Sequence, residues 1–327
     1  MGHPLLEVKQ VKKHFPVKGT IPFVPSRQSV KAVDNVNFHV MPGETLGIVG
    51  ESGCGKSTLA RLINRLISPT EGEMNFKNKD LVSLSKRDLR TVRKNIQMVF
   101  QDPYASLDPR KRVGQLIEEP LVIHGVGDSV SRKRRVAELL EIVGLNPRYQ
   151  NRYAHEFSGG QRQRINIARA LTLNPELIIC DEPVSALDVS VQAQVINLLK
   201  DLQKQFQLTY IFISHDLNVV RYMCDRIAVM YLGKIVEIGS YEEIYHSPKH
   251  PYTQALLSAI PVESPYENKE RIILTGNVPS PIAPPPGCAF HERCPFVMDK
   301  CKTETPPLIE TTEAHRASCH LIKKEEE

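Results

Sequence analysis

The stretch ETLGIVGESGCGKST, residues 44–58, decides the fold. The apolar run ending at Val49 predicts a buried strand, and Ser57 to Leu66 has the composition of a helix. Between them the sequence fits the pattern G-x-x-x-x-G-K-S/T. Such a turn lets successive backbone N–H groups face one anion, to which the helix N-terminus adds positive charge. We therefore expect a phosphate-binding loop formed by Gly50, Ser52, Gly53, Cys54, Gly55, Lys56, Ser57 and Thr58.

A second pattern, LIICDE at residues 177–182, places two carboxylates at the end of an apolar strand. Two adjacent acids at a strand end could simply cap the next helix. Beside a phosphate-binding loop they favour a different interpretation. Lys56 would reach the β- and γ-phosphates, and the Ser57 hydroxyl would bind Mg²⁺. Asp181 would hold the Mg²⁺ shell through water, and Glu182 would accept a proton from an attacking water.

Composition limits the classes of protein that the chain can be. Its 327 residues are 41% hydrophobic and 24% charged, which is ordinary for a globular protein with a sizeable core. The net charge of +5 is too small to argue for a nucleic-acid partner, and no apolar run reaches the ~18 residues of a membrane span. Half of the 24 prolines lie from Pro248 onward, so we predict a regular domain at 1–247 and an irregular extension at 248–327.

That extension contains four of the seven cysteines: Cys288, Cys294, Cys301 and Cys319. In a reducing compartment, metal binding is a sharper interpretation of such a cluster than disulfides. Zinc sites usually contain a short C-x2–4-C pair, which is absent here, and four thiolates on longer loops suit an iron–sulfur cluster at least as well. Iron–sulfur, zinc, and thiols that are empty or paired in a disulfide all stay open.

The segment Phe157-Ser158-Gly159-Gly160-Gln161-Arg162 resembles the signature motif of ABC-transporter ATPases, with Phe157 in place of the usual leucine. Other elements of that family follow the expected order: Gln101 resembles the Q-loop glutamine, Asp188 that of the D-loop, and His215 the switch histidine. The resemblance implies an α/β fold with a P-loop RecA-like core, an antiparallel β subdomain, an α-helical signature subdomain and an irregular Cys/Pro-rich C-terminal extension.

The same resemblance implies how ATP and Mg²⁺ are handled. Two ATPase subunits would pair head to tail, with each nucleotide between one phosphate loop and the other subunit's signature. Ser158, Gly159, Gly160 and Gln161 would therefore act on the partner's nucleotide. Gln101 would join Ser57 at Mg²⁺, and Lys56, Glu182 and His215 would be catalytic. Phe15 would stack on adenine, although it could instead be a core aromatic.

A closer resemblance is to the ATP-binding subunits of bacterial oligopeptide and dipeptide importers, in their F-type form. It rests on His250-Pro251-Tyr252-Thr253, on residues 101–110 and on Lys13 to Lys18. It implies peptide import by a peripheral ATPase at the cytoplasmic face of the membrane, paired with a D-type paralogue beneath two permease subunits and serving an extracellular solute-binding protein indirectly.

No nucleic-acid partner is implied. Some members of this importer family carry a [4Fe–4S] cluster on four cysteines of the extension, which makes Cys288, Cys294, Cys301 and Cys319 candidate ligands here. Relatives with the same extension import nickel or other small solutes. Import of nickel or another small solute therefore stays an alternative to peptide import. A soluble ABC ATPase outside transport is a further one.

Overall fold

The computed structural model describes residues 2–17, 28–260, 271–312 and 314–322. The strands are β1 (Leu6–Pro16), β2 (Ser29–Val40), β3 (Thr45–Val49), β4 (Glu71–Phe76), β5 (Lys79–Asp80), β6 (Ile96–Val99), β7 (Leu177–Asp181), β8 (Thr209–Ser214), β9 (Arg226–Tyr231), β10 (Lys234–Ser240), β11 (Ile309–Glu310) and β12 (Arg316–Ala317). The helices are α1 (Lys56–Ile63), α2 (Lys86–Val92), α3 (Val113–His124), α4 (Ser129–Ile142), α5 (Gly159–Leu171), α6 (Val189–Phe206), α7 (Leu217–Met223), α8 (Tyr241–His246), α9 (Pro251–Ser258) and α10 (Asp299–Thr303).

The chain divides into two compact units. The first contains Met1–Val40, Leu46–Val82 and His215–Glu327, and the second contains Met41–Thr45 and Ser83–Ser214. The predicted boundary between residues 247 and 248 is a division along the sequence and stays a prediction. Among the described residues, no helix combines the length and the hydropathy needed to cross a membrane.

The first unit contains an antiparallel sheet with strand order β2-β1-β4-β5. Leu6 and Val8 alternate with more exposed neighbours along β1, as expected for a strand with one buried face. The pairing of β1 with β2 then shifts register between Val8 and Val11, near Gln10, whose φ is 50°. This irregularity restores the inward direction at Val11, which is fully buried.

A second set of strands in the first unit has the order β11-β12-β10-β9-β3. β9 runs parallel to β3, and β10 returns antiparallel through a turn in which Leu232 and Gly233 have φ values of 42° and 78°. Positive φ at both positions is the geometry of a tight hairpin turn. The sequence predicts this hairpin from two apolar runs, Ile227–Met230 and Lys234–Ile238, split by Leu232-Gly233, and the structure confirms it. β12, from the extension, pairs with β10.

The second unit is built on three parallel strands in the order β6-β7-β8. Every residue of β7 and β8 is buried, which explains their nearly continuous apolar sequences. Short apolar runs with β-branched residues predict buried strands at Glu176–Asp181 and Leu208–Ser214, and the structure confirms both to within one residue.

Two helix boundaries differ from the sequence prediction. α1 ends at Ile63 rather than Leu66, because Arg65 takes a left-handed conformation with φ of 53° that a helix cannot continue. For α6, the apolar spacing predicts a helix from Val191 to Phe206, and the helix begins two residues earlier at Val189, directly after its N-cap residue Asp188. The two extra residues come before the periodic apolar positions on which the prediction rests.

Candidate active site

The phosphate loop lies in the first unit, between β3 and α1. Three of its glycines have positive φ: 152° at Gly50, 79° at Gly53 and 110° at Gly55. A Cβ at Gly50 would lie 2.2 Å from the Met230 carbonyl oxygen, and one at Gly55 would lie 2.1 Å from the Ala32 carbonyl oxygen. Both ends of the loop are therefore held against backbone that only glycine can approach.

Lys56 is buried and its ammonium group spans this loop. Nζ donates to the Gly50 carbonyl at 2.7 Å and the Glu51 carbonyl at 3.0 Å, and contacts the Cys54 Sγ at 3.9 Å. Burial raises the pKa of the Cys54 thiol, and Lys56 only partly opposes that shift. Cys54 therefore stays a neutral thiol, and Lys56 provides the positive charge that a phosphate would meet.

Ser57 and Thr58 occupy the first turn of α1, at the positive end of the helix dipole. The N-cap residue of α1 is Gly55, whose lack of a side chain leaves room for a ligand at this end of the helix. This arrangement is a suitable receptor for an anion.

Two predicted site residues meet in the second unit. Gln101 Nε2 donates to Glu182 Oε2 at 2.9 Å, although the residues are 81 positions apart. Glu182 follows buried Asp181 at the end of β7 and has φ of 47°, a left-handed conformation that is costly for a residue with a long side chain. Its N–H donates to the Ile213 carbonyl at 3.0 Å, which fixes the strained turn. The carboxylate is thus oriented by its backbone and by Gln101.

The signature residues begin α5 in the same unit. The Ser158 hydroxyl accepts from the Gln161 N–H at 3.4 Å, and Gln161 Oε1 accepts from the Ser158 N–H at 3.1 Å, which is a capping box. Ser158 itself is exposed. Gly160 lies against Val191: a Cβ there would be 2.3 Å from the Val191 Cγ1. The motif is therefore a well-formed helix start with an accessible hydroxyl.

Three further predicted site residues lie on other elements. His215 is exposed after β8, and Asp188 is exposed at the start of α6. Phe15 lies near the end of β1 with 37% of its surface exposed, and the Lys13 ammonium lies 5.0 Å from its ring centre. That exposure does not fit the alternative in which Phe15 is a core aromatic.

The extension contributes contacts that the sequence did not predict. His250 is the N-cap of α9: its Nδ1 accepts from the Tyr252 N–H at 3.0 Å, and Pro251 takes the first helical position. The buried Tyr252 hydroxyl accepts from the Glu51 N–H at 2.9 Å, and Arg293 forms two hydrogen bonds to the Glu51 carboxylate. Tyr252 belonged to a recognised motif, whereas nothing in the sequence distinguishes Glu51 or Arg293.

A fully buried carboxylate joins the extension to β10. Glu237 accepts from the Lys249 N–H at 2.6 Å, the His250 N–H at 3.0 Å and the His315 ring Nε2 at 2.7 Å. Three partners compensate for the loss of hydration that burial imposes on the carboxylate.

The four cysteines of the extension are near enough to influence each other's ionisation. Burial, with smaller contributions from Cys301, Cys319 and Cys294, raises the pKa of Cys288 to about 11. Thiols have the donor chemistry that iron or zinc requires. However, among the residues that the structure describes, no three His, Cys, Asp or Glu side chains are arranged to hold a metal ion. The described geometry therefore does not support the predicted iron–sulfur cluster.

Comparison with known families matches residues 33–185 to the ABC transporter family and residues 236–301 to the oligopeptide/dipeptide transporter C-terminal region. The oligopeptide transport ATP-binding protein AppF of Bacillus subtilis is 57% identical over 320 residues, 97% of each chain. The putative oligopeptide transport ATP-binding protein YkfD of the same species is 52% identical over 326 residues, 99% of this chain and 97% of the relative.

Solved structures give the same fold. The dimeric ATP-binding cassette MJ0796, in a post-hydrolysis state bound to ADP and Pi, is similar at a TM-score of 0.64 and 32% identity, over 72% of this chain and 98% of the other. The structure of cbiO1 from Clostridium perfringens has a TM-score of 0.64 at 27% identity, over 75% of this chain and 91% of the other. The chain therefore belongs to the ATP-binding proteins of oligopeptide ABC transporters, a family of ATP hydrolases coupled to transport.

Proposed function

We propose that this chain hydrolyses ATP to drive the import of oligopeptides or dipeptides. The observation that carries the proposal is the likeness over nearly the whole chain to oligopeptide transport ATP-binding proteins, including the C-terminal region that distinguishes them from other cassettes. The chain would act at the cytoplasmic face of the membrane with a D-type ATPase subunit, beneath two permease subunits that receive peptide from an extracellular binding protein.

Within each nucleotide site the roles follow from the chemistry of the residues. Lys56 and the N–H groups of residues 50–58 bind the phosphates, and Phe15 stacks on adenine. Ser57 and Gln101 hold Mg²⁺, with Asp181 at its water shell. Mg²⁺ would supply charge neutralisation at the β- and γ-phosphates.

Hydrolysis needs a base for the attacking water and a group that hydrogen-bonds the γ-phosphate. Glu182 takes the proton from the attacking water, and its hydrogen bond to Gln101 keeps the carboxylate in one orientation. His215 hydrogen-bonds the γ-phosphate. Ser158, Gly159, Gly160 and Gln161 complete the partner subunit's site, with Asp188 of the D-loop at the same interface. The assembly of MJ0796 as a dimer with ADP and Pi supports this pairing.

Substitution of the proposed base tests this assignment. Glu182→Gln keeps an oxygen for the Gln101 amide but cannot accept a proton, so ATP should bind normally while turnover falls by about 10²- to 10⁴-fold. The measurement is ATP hydrolysis and retained nucleotide in the purified transporter complex. Normal hydrolysis by the variant would refute the role of Glu182.

Uptake assays identify the solute. A strain whose only copy carries Lys56→Ala should lose uptake of labelled peptides, and the peptide lengths affected define the substrate class. Unchanged uptake of every peptide together with lost nickel uptake would replace the peptide assignment with the nickel alternative.

The finer proposal for the extension is that Cys288, Cys294, Cys301 and Cys319 would be the ligands of a [4Fe–4S] cluster. It rests on the resemblance and on thiolate chemistry. An anaerobic preparation should then be brown and contain iron and sulfide. A colourless protein with one zinc per chain would contradict it.

A further inference from the structure

Glu51, in the phosphate loop, is attached to the extension at two points. Its N–H donates to the hydroxyl of Tyr252, 201 positions away, at 2.9 Å. Its carboxylate receives both terminal nitrogens of Arg293, 242 positions away: Nη1 to Oε2 at 2.8 Å and Nη2 to Oε1 at 3.0 Å. Backbone and side chain of one loop residue are therefore both held by the extension.

This attachment lies where the loop has least other support. Gly50 and Gly55 are pinned against neighbouring backbone, as described above. Between them Ser52 and Gly53 are exposed, and a Cβ at Gly53 would meet nothing within 4 Å. The exposed part of the loop must keep its N–H groups directed at one anion, and Glu51 is the residue that precedes it.

The two groups that hold Glu51 are themselves fixed. The Tyr252 ring is fully buried and lies against Tyr231 and Phe290, with ring centres 4.7 Å and 5.4 Å away. The Arg293 side chain is 8% exposed, and its guanidinium lies 5.9 Å from the Tyr231 ring centre. A guanidinium in a fixed position matches both oxygens of a carboxylate, a fit that lysine cannot reproduce.

The ion pair between Glu51 and Arg293 also changes the charge that a bound nucleotide would meet. An uncompensated carboxylate at Glu51 would repel the polyphosphate that its own loop must bind. Arg293 cancels that charge without Lys56, whose ammonium contacts the Gly50 and Glu51 carbonyl oxygens and the Cys54 sulfur.

We propose that Arg293 and Tyr252 are positioning residues for the phosphate loop, which hold Glu51 in place and neutralise its carboxylate so that the loop is ready for the phosphates of the nucleotide. The inference rests on the proposed nucleotide site. It gives the C-terminal extension a direct part in nucleotide affinity.

The test is calorimetric titration of the purified full-length chain with MgADP, so that hydrolysis plays no part. Arg293→Met keeps an unbranched side chain but removes the guanidinium and its charge, and should weaken binding about tenfold, within the usual range for coupling between sites. Tyr252→Phe removes only the hydroxyl and should weaken binding about threefold, the loss expected for one neutral hydrogen bond. Lys300→Met is the matched control, because Lys300 lies in the extension with an exposed ion pair to Glu304.

A charge rescue separates positioning from general stability. The double variant Glu51→Gln with Arg293→Met leaves no uncompensated charge, so it should bind MgADP more tightly than Arg293→Met alone. The single variant should also become more sensitive to salt, which screens the repulsion. If Arg293→Met does not fold, the double variant and Tyr252→Phe carry the test.

The outcomes are distinguishable. Unchanged affinity in Lys56→Ala would refute the proposed nucleotide site itself. Lost binding in Lys56→Ala, with Arg293→Met and Tyr252→Phe both within about twofold of the natural chain, a change smaller than one hydrogen bond gives, would overturn the present inference alone. A double variant no tighter than Arg293→Met would overturn its electrostatic part.

Discussion

Acid should destabilise this protein through a single buried ring, that of His250. The imidazole is 1% exposed, and its Nδ1 accepts the Tyr252 N–H at the start of α9. Burial lowers the pKa of His250 to about 4, and the neighbouring Glu237 carboxylate only partly opposes that shift. The folded chain therefore needs the neutral ring, whereas the unfolded chain binds a proton at a pKa of about 6.5.

The sign follows from which state binds more protons. Above about pH 6.5 neither state is protonated at this residue, and below that the proton favours the unfolded chain. The difference between about 6.5 and about 4, at about 1.4 kcal/mol per pKa unit, gives a full loss of about 3 kcal/mol, of which about 2 kcal/mol is lost by pH 5.

The assay is urea unfolding of the full-length chain and of His250→Asn at about pH 7.5 and about pH 5, on either side of the unfolded-state pKa. Asparagine is a good N-cap residue and does not titrate, so the variant keeps the cap and loses the pH-dependent contribution. The natural chain should lose about 2 kcal/mol more than the variant over this interval. Equal losses in the two proteins would refute the reasoning.

Two further substitutions test packing in each unit. Glu237→Gln leaves one acceptor oxygen where the structure uses two, and it directs an amide N–H₂ toward a donor such as the His315 ring. Urea unfolding should therefore show a free energy of unfolding lower by about 3 kcal/mol. Gly160→Ala places a methyl group 2.3 Å from Val191 Cγ1 and should cost about 1–3 kcal/mol, and adding Val191→Ala should restore most of that stability unless the clash is not the cause.

The elements around the phosphate loop could be predicted because their signals are local. β3, the loop and α1 follow each other without interruption, and the G-x-x-x-x-G-K-S pattern prescribes the conformation as well as the chemistry. The buried strands β7 and β8 could be predicted equally well, since a short apolar run bounded by polar residues in an α/β fold is usually a buried strand. What was missed here was the end of α1, where Arg65 takes a left-handed conformation that no pattern indicates.

Contacts between residues that are distant in sequence could not be predicted in the same way. Gln101 and Glu182 were each proposed from a motif, yet their hydrogen bond depends on how two strands of the second unit lie side by side. The cysteines of the extension raise the same problem. Their spacing suggested a metal site, but spacing in sequence does not determine whether side chains converge on one point.

The His250-Pro251-Tyr252 motif shows how a pattern can be recognised before its physical meaning is known. The neutral histidine caps α9, proline occupies the position that lacks a hydrogen-bond partner, and tyrosine reaches the loop residue Glu51 from inside an aromatic cluster. Arg293 reaches the same residue from 41 positions further along the chain, between Cys288 and Cys294, in a segment that was noted for its cysteines and not for this arginine. Because both contacts end on Glu51, combining Arg293→Met with Tyr252→Phe removes both supports of the phosphate loop, and nucleotide affinity should fall further than in either single variant.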